Sequence, residues 1–356
     1  MGRRVALTAF VAAVTAAAWA TPADALPRYS ARYGQSCLLC HENPTGGGMR
    51  SAYAAEYLIP EELAAPSSPE ARFSPEIGER VAVGADLRTL LYESDGSRDG
   101  VLAMQADVYL SVHMDDRTSV YVERGRGGQG EAFGTARLLP ADGYLKAGRF
   151  LPAYGWRFAD HQLPARRYLF HPEGNDRTAL LLDDGLELGL APEPFEVTIS
   201  YLAGPTGEGG SYAGRVAARR SLGDLNLALG ASVWRARRSG GHDRVAGGFG
   251  YAAAGPVSWV WQLDETRVGG DLGRLITHEL AVRVRRGWDL RATYGFQDPD
   301  RALADGSRTS WSLGVDALLG PHLGAMLVAR REVNDPGPRS PEPDATRGEL
   351  VLHVLF

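Results

Sequence analysis

Few cysteines, a nearly balanced charge and the lack of long apolar runs exclude several classes of protein at once. The chain has 356 residues, with 38 Lys and Arg against 43 Asp and Glu, so it offers no excess of basic residues for binding nucleic acid. Its two cysteines cannot form the framework of a disulfide-rich fold. Beyond the N-terminus no run of about 18 apolar residues occurs, which argues against membrane-spanning helices. A membrane β-barrel stays open, because its signal is alternation rather than a continuous apolar run.

The first 25 residues have the features of a secretory signal peptide. Arg3 and Arg4 form a basic start, an apolar Ala-rich stretch follows, and Ala23 and Ala25 have the spacing of a signal-peptidase site. A buried helix or a membrane anchor is the alternative, but two prolines follow the stretch at once. We expect residues 1–25 to be removed on export.

The one motif with specific chemistry is Cys37-Leu38-Leu39-Cys40-His41, which has the spacing of a c-type haem attachment site. The two thiols can each add to one vinyl group of a haem, and His41 is then held as the proximal ligand of the iron. A dithiol redox pair or a plain disulfide would also fit an exported protein. Structural zinc fits less well, because it needs four N or S ligands. We therefore predict one covalent haem c, attached at Cys37 and Cys40.

A small helical segment is expected to carry this haem. Residues 26–60 form the predicted monohaem cytochrome segment, in which residues 49–58 have helix-forming composition. A segment of this size is too small for a stable core of its own, so it must pack on another part of the chain. Residues 61–80, which contain several Pro and Ser, are predicted to be a linker.

From about residue 81 onward, apolar and polar residues alternate in short runs separated by turn residues. FEVTISY at 195–201 and WDLRATYGF at 288–296 have the pattern of strands with one apolar and one polar face. A soluble β-sandwich also alternates, but the polar faces here are highly charged, and Trp and Tyr recur at the ends of apolar faces, as in outer-membrane barrels. The prediction is an all-β fold, an antiparallel outer-membrane β-barrel over residues 81–356 in contact with outer-membrane lipid.

The number of strands and the lengths of the turns support this barrel. We predict about sixteen strands, an even number, as bacterial single-chain barrels have. They lie near 81–93, 100–113, 117–125, 131–139, 143–150, 183–190, 194–203, 213–221, 224–236, 244–253, 256–266, 274–285, 287–298, 308–319, 322–333 and 347–356. Tight turns, such as 140–143 and 320–321, alternate with longer ones, such as 204–212 and 334–346. This matches short periplasmic turns and long extracellular loops.

One connection, residues 151–182, is far longer than a usual loop. It is rich in charged and aromatic residues and contains His161 and His171. Its aromatic content favours packing against the barrel, so we expect it to fold into the lumen as a constriction. A flexible surface loop is the alternative.

The order of parts resembles a known family. An exported chain with one CxxCH motif near the mature N-terminus, followed by a porin-like barrel, is similar to the fused monohaem cytochrome-porins of the outer membrane. The resemblance in order covers nearly the whole chain, and in residues it is confined to Gly34-Gln35-Ser36-Cys37-Leu38-Leu39-Cys40-His41. The best-known members are iron-oxidising cytochromes that pass electrons inward from extracellular Fe(II). The alternating strand that ends at Phe356 likewise resembles the recognition signal for barrel assembly.

Three residues are candidates for the sixth ligand of the iron. Met49 is the methionine of the haem segment and follows a glycine run that could bring it over the ring. Ligation by Met49 would raise the haem potential, which suits a weak electron donor such as Fe(II). Ordinary packing is the alternative role for Met49, and His161 and His171 are the alternative ligands.

The sequence and the resemblance together predict an electron-transfer porin-cytochrome in the outer membrane of a Gram-negative bacterium. Its expected partners are periplasmic soluble cytochromes and an extracellular redox partner such as Fe(II), with no nucleic acid. The N-terminal segment is expected on the periplasmic side, where it plugs or caps the barrel. The chain would act either as an Fe(II) oxidase or as an electron carrier without turnover of its own. Two other functions stay open: a plain diffusion porin whose cysteines form a disulfide, and a haem peroxidase or sensor with an open sixth position.

Overall fold

The computed structural model describes residues 26–67, 74–95, 99–125, 130–170, 180, 182–204, 209–238, 241–335 and 343–356. The predicted signal peptide, residues 1–25, and His171 lie outside the described residues. Antiparallel strands account for most of the described chain. They are β1 (Glu76–Ile77), β2 (Val81–Ser94), β3 (Gly100–His113), β4 (Thr118–Gly125), β5 (Ala132–Leu139), β6 (Gly143–Phe150), β7 (Asp183–Leu190), β8 (Phe195–Leu202), β9 (Ser211–Leu222), β10 (Leu225–Arg238), β11 (Gly241–Ala254), β12 (Val257–Val268), β13 (Asp271–Arg285), β14 (Trp288–Asp298), β15 (Arg308–Gly320), β16 (Leu323–Asn334) and β17 (Ala345–Leu355).

Strands β2 to β17 form a closed antiparallel barrel of sixteen strands. Each strand pairs with the next one along the chain, and β17 pairs with β2 from Arg347 opposite Ser94 to Leu355 opposite Asp86. Closure of this kind removes the free strand edges that an open sheet would expose. The prediction of a sixteen-stranded barrel is confirmed, and the predicted strand ends differ from the observed ones by three residues at most.

The barrel has its apolar face outside and its polar face inside. Leu186, Leu313 and Leu327 are among the exposed apolar residues of the outer face. The buried polar residues of the strands include Asp107, Lys146, Glu187, Gln262, Glu279, Arg291 and Arg330. A soluble sandwich would have the reverse arrangement, whereas a barrel in lipid needs an apolar outer band and tolerates a polar interior.

The N-terminal segment lies inside the barrel. It contains α1 (Pro27–Tyr33), α2 (Cys37–Cys40) and a π-helix (Ala54–Leu63). Its residues contact widely separated strands: Arg28 forms an ion pair with Glu279 of β13, and Met49 donates its N–H to the Tyr121 hydroxyl of β4 at 3.1 Å. Contacts to opposite parts of a closed barrel place the segment in the lumen.

The segment also contacts three of the tight turns. The Arg50 guanidinium donates to the Pro321 carbonyl between β15 and β16, and Arg286, between β13 and β14, donates to the Glu61 carbonyl. Asn226, next to the turn between β9 and β10, donates to the Arg32 carbonyl at 2.8 Å. Because short turns face the periplasm in such barrels, these contacts place the segment at the periplasmic end, as predicted.

The helix of the segment begins and ends later than the sequence predicts. The prediction was 49–58, whereas the π-helix runs from Ala54 to Leu63 and enters the predicted linker. Met49 and Ser51 are held outside the helix, because their backbone N–H groups donate to Tyr121 and Cys40. Pro60, which has no N–H, lies within the helix, and the Ala64 N–H donates five residues back to Ile59. No helix in the described part of the chain is long and apolar enough to cross a membrane.

The described part of the long connection folds into the lumen. It contains α3 (Pro164–Leu169), and its backbone bonds to inward-facing side chains of several strands. The Gly155 N–H donates to Ser232 of β10 at 3.0 Å, the Trp156 N–H to Gln262 of β12 at 2.8 Å, and the Ala165 N–H to Thr277 of β13 at 3.1 Å. With the N-terminal segment, these residues occupy much of the interior of the barrel.

Candidate functional site

The predicted haem-attachment motif lines a cavity inside the barrel. The cavity has a volume of about 400 Å³, which lies within the range of roughly 300–1,000 Å³ for small-molecule and cofactor sites. Cys37, Cys40 and His41 all line it, together with residues of the long connection and of strands around the barrel. The motif therefore lies on a cavity within the lumen, and its three residues are half-buried.

Short-range backbone contacts hold the motif in place. Residues Cys37–Cys40 form one helical turn, and the His41 N–H donates to the Cys37 carbonyl at 3.1 Å. Three consecutive glycines with positive φ then reverse the chain, so that Arg50 pairs with His41 in an antiparallel bridge. At the last of them, Gly48, φ is 63° and an added Cβ would lie 2.1 Å from the Tyr121 hydroxyl. Only glycine fits this close approach to the barrel wall.

The imidazole of His41 is in the form that binds a metal ion. Its Nδ1 is buried and has no hydrogen-bond partner of normal geometry among the described residues. Desolvation, together with the positive charges of Arg50 and Arg157, lowers the pKa of His41 to about 4. The ring is therefore neutral at physiological pH, and a neutral imidazole is the ligand form of histidine.

Cys37 and Cys40 are free thiols in the structure. Burial raises the pKa of both, and that of Cys40 rises to about 11. Thiol exchange depends on the thiolate, which redox-active dithiols favour by a lowered pKa. The surroundings of these two cysteines therefore argue against a dithiol redox pair. Two free thiols, a neutral histidine and the cavity between them fit the covalent attachment of a c-type haem.

The candidates for the sixth ligand lie in different places. Met49 is 1% exposed, packs with Tyr109, Tyr121 and Phe133, and does not belong to the cavity lining. Met49 therefore has the packing role that the sequence analysis gave as its alternative. To bind the iron, its side chain would have to leave this cluster. His161 lines the cavity, so it stays a candidate.

Two methionines that sequence reasoning missed, Met104 and Met326, also line the cavity. Met104 is the unpaired residue at a shift in the register of β2 and β3. An extra residue of this kind breaks the alternation of side chains, so a strict period of two would place Met104 on the lipid side. Met326 could have been found by alternation with Val328 and Arg330, and its sulfur accepts a hydrogen bond from Arg291 at 2.8 Å.

A network of buried ion pairs holds the N-terminal segment to the wall. The Arg28 guanidinium contacts Asp316 at 2.7 Å, Glu279 at 3.3 Å and Asp289 at 3.7 Å, and its side chain is only 4% exposed. Arg32 contacts Asp289 at 2.9 Å. These carboxylates come from three neighbouring strands, β13 to β15, so the network joins the segment to one side of the barrel.

A second set of polar contacts holds the residues after the motif. The Asn43 amide donates to Glu131 at 2.7 Å, and its oxygen accepts from Lys146 at 3.4 Å. Lys146 forms an ion pair of 2.6 Å with Glu187, and both side chains are fully buried. Arg157 of the long connection donates to the Gly46 carbonyl at 2.8 Å, which links the two structures that occupy the lumen.

The long connection is held by its own charges and aromatic rings. Asp160 accepts hydrogen bonds from Arg330 at 2.8 Å and from Arg291 at 3.1 Å. Burial by itself would raise the pKa of Asp160, but these two guanidinium groups hold it well below its usual range. Trp156 packs against Phe249 and Tyr251 with ring centroids 5.1 and 5.7 Å apart. The described part of the connection therefore forms a constriction beside the cavity.

Comparison with solved structures identifies the fold. The loop L8 deletion mutant of OmpT, an outer membrane protein of Vibrio cholerae, has a TM-score of 0.56 and 15% identity, over 78% of this chain and 99% of that chain. An anion-selective porin from Comamonas acidovorans has a TM-score of 0.56 and 13% identity, over 78% and 99%. Salmonella typhi OmpF in complex with daunomycin has a TM-score of 0.57 and 10% identity, over 78% and 98%.

No protein-family model matches the sequence, and the search of curated proteins finds no match. The structural likenesses therefore concern the fold, which is that of outer-membrane porins. With the apolar outer face of the barrel, this fold supports the outer-membrane location that the sequence predicts. The chain is a porin-like outer-membrane β-barrel.

Proposed function

We propose that this barrel is an electron-transfer protein that carries one c-type haem in its lumen. The observation that supports the proposal is the position of the CxxCH motif. Cys37, Cys40 and His41 lie inside the barrel and line one cavity, with free thiols and a neutral imidazole. A chance occurrence of the motif would have no reason to lie on a cavity inside the barrel.

Each residue of the site would have a distinct role in holding the haem. Cys37 and Cys40 would attach the haem through thioether bonds, and His41 would bind its iron from one side. The bound haem would supply a centre that accepts and releases one electron at a time. The wall and the constriction limit the access of water, and the ion pairs of Arg28 fix the segment at the periplasmic end.

The expected partners follow from this position. At the periplasmic end, periplasmic soluble cytochromes would exchange electrons with the haem. On the side of the long loops, an extracellular donor or acceptor such as Fe(II) would complete the route. The apolar band of such barrels is about 25 Å tall, so a haem at one end needs a partner that approaches or enters the other.

The test is covalent haem in the purified full-length protein. We expect a Soret band and haem that stays with the polypeptide in a denaturing gel, and we expect both to be lost in the double variant Cys37→Ala and Cys40→Ala. His242→Ala, at an exposed histidine outside the cavity lining, is the control and should retain the haem. A wild-type protein without covalent haem, expressed with an intact haem-attachment system, would refute the proposal.

A diffusion porin is the second candidate, and the structural neighbours favour it. One neighbour is described as an anion-selective porin, and a barrel of this type needs no cofactor to pass solutes. The segment and the constriction inside the lumen argue for low permeability. Liposome swelling with small sugars separates the two functions: rapid swelling by a haem-free protein identifies a porin, and slow swelling by a haem-containing protein identifies an electron carrier.

A further inference from the structure

Six arginines line the cavity, and five of them are paired with carboxylates. The paired residues and their partners are Arg28 with Asp316, Arg88 with Asp86, Arg157 with Glu131, Arg215 with Glu196, and Arg291 with Asp160. The sixth, Arg50, forms no ion pair with a described residue. This difference distinguishes Arg50 from the five other arginines of the cavity lining, each of which has a carboxylate partner.

Arg50 lies next to the haem-attachment motif. It is the bridge partner of His41 across the glycine turn, and Ser51, the next residue, donates its N–H to the Cys40 carbonyl at 3.0 Å. The Arg50 Nη1 donates to the Pro321 carbonyl at 2.9 Å, so one edge of the guanidinium is held by the wall. The remaining donors of the group have no carboxylate partner in the described part of the chain.

The charge of the Asp86 carboxylate acts on Arg50, but the two side chains form no ion pair. Asp86 also lines the cavity, but it contacts the Arg88 guanidinium at 3.4 Å and His353 at 2.6 Å. A charge withdrawn from water without a partner is costly. A guanidinium with free donors in a planar fork is suited to a carboxylate from outside the chain.

We propose that Arg50 binds a propionate carboxylate of the haem. The inference rests on the proposed function, since a haem attached at Cys37 and Cys40 and bound by His41 would lie in the cavity that Arg50 lines. The propionates are the anionic groups of such a haem, and Arg50 is the cavity arginine that forms no ion pair within the described residues. The contact would fix the orientation of the ring and neutralise one propionate.

A positive charge at this position stabilises the reduced haem. Removing it while the propionate stays charged favours the ferric form, because the iron then lies beside an uncompensated negative charge. We expect Arg50→Gln to shift the reduction equilibrium toward the oxidised form by about tenfold, or about 59 mV for a one-electron couple. Arg50→Lys keeps the charge and should retain most of the wild-type potential.

The experiment uses the full-length haem-containing protein and two readouts other than activity. The first is a spectroelectrochemical titration of the midpoint potential, and the second is the propionate bending region of the resonance Raman spectrum. Arg50→Gln should lower the potential and shift the propionate bands, and Arg50→Lys should shift the bands while retaining the potential. Arg215→Gln is the matched control, because Arg215 lines the same cavity, and its partner Glu196 also contacts Arg219 at 2.7 Å. It should leave the propionate bands unchanged.

The outcomes separate this inference from the proposed function. Haem content is measured first: a wild-type protein without covalent haem refutes both. If wild type and Arg50→Gln contain equal amounts of haem and have the same bands and potential, the Arg50 contact is refuted while the proposed function stands. Equal shifts in Arg50→Gln and Arg215→Gln would also refute it, since they would reflect the total charge of the lumen. Folding is judged by heat-modifiable migration. If Arg50→Gln does not fold, Arg50→Lys is used instead: shifted propionate bands support the Arg50 contact, and unchanged bands refute it.

Discussion

Replacing Arg28 by methionine should release the N-terminal segment from the wall of the barrel. The Arg28 side chain is 4% exposed and contacts three carboxylates, at 2.7, 3.3 and 3.7 Å. Methionine retains much of the volume but leaves Asp316, Glu279 and Asp289 with fewer positive partners. Breaking a buried pair by removing one partner costs about 3–5 kcal/mol, because the other charge stays buried. At about 1.4 kcal/mol per tenfold, the docked state loses roughly a hundredfold to several thousandfold in equilibrium constant.

Two assays report this release. Limited proteolysis at the periplasmic face should cut the segment of Arg28→Met faster than that of wild type, and the single-channel conductance in planar bilayers should increase as the lumen opens. Arg331→Met is the control, because Arg331 forms an ion pair with Asp344 at 2.9 Å in which both side chains are more than 40% exposed. Exposed pairs of this kind contribute at most about 1 kcal/mol. Wild-type proteolysis and conductance in a folded Arg28→Met protein would show that the ion pairs do not hold the segment.

Three further predictions concern the wall and the constriction. Lys146→Met should lower the free energy of unfolding by about 3–5 kcal/mol, since it leaves the buried Glu187 carboxylate without a positive partner. In thermal unfolding, the double variant with Glu187→Leu should recover much of this loss. No recovery would contradict the pairing argument. Gly155→Ala should disturb the constriction, because the φ angle of Gly155 is 47° and the added Cβ would lie 2.3 Å from the Gln262 side-chain oxygen. Tryptophan fluorescence identical to that of wild type would argue against this disturbance. Asp160 has a lowered pKa in the folded protein, so its contribution is complete above its unfolded pKa of about 3.9 and is lost as the pH falls toward the folded value. The difference in thermal stability between wild type and Asp160→Asn should therefore be constant from pH 8 to about pH 4 and shrink only below, and a change in this difference near neutral pH would be contrary to expectation.

The sequence by itself determined the barrel. Alternation with a period of two follows from the geometry of a strand, and a lipid-facing barrel needs every second residue to be apolar. Runs such as FEVTISY at 195–201 therefore predicted strands whose observed ends lie within three residues. The motif at Cys37 and Cys40 was equally local, because its chemistry depends on spacing along the chain. The local rule fails at the register shift beside Met104, where alternation alone would give the wrong face.

Only the tertiary structure decided what occupies the lumen. The three carboxylates that pair with Arg28 are more than 250 positions away in the chain, and no local pattern indicates that they meet it. The short distance along the chain between Met49 and His41 made Met49 a candidate ligand. In the structure, the Tyr121 hydroxyl of β4 accepts a hydrogen bond from the Met49 N–H, and aromatic residues enclose the Met49 side chain. Nothing in the sequence distinguishes Arg50 from other arginines. Closure of the barrel brings six arginines to one cavity, and Arg50 is the one that forms no ion pair with a described residue. Residue types and spacing determine local structure, whereas pairing and burial depend on contacts that exist only once the sixteen strands have closed around the segment.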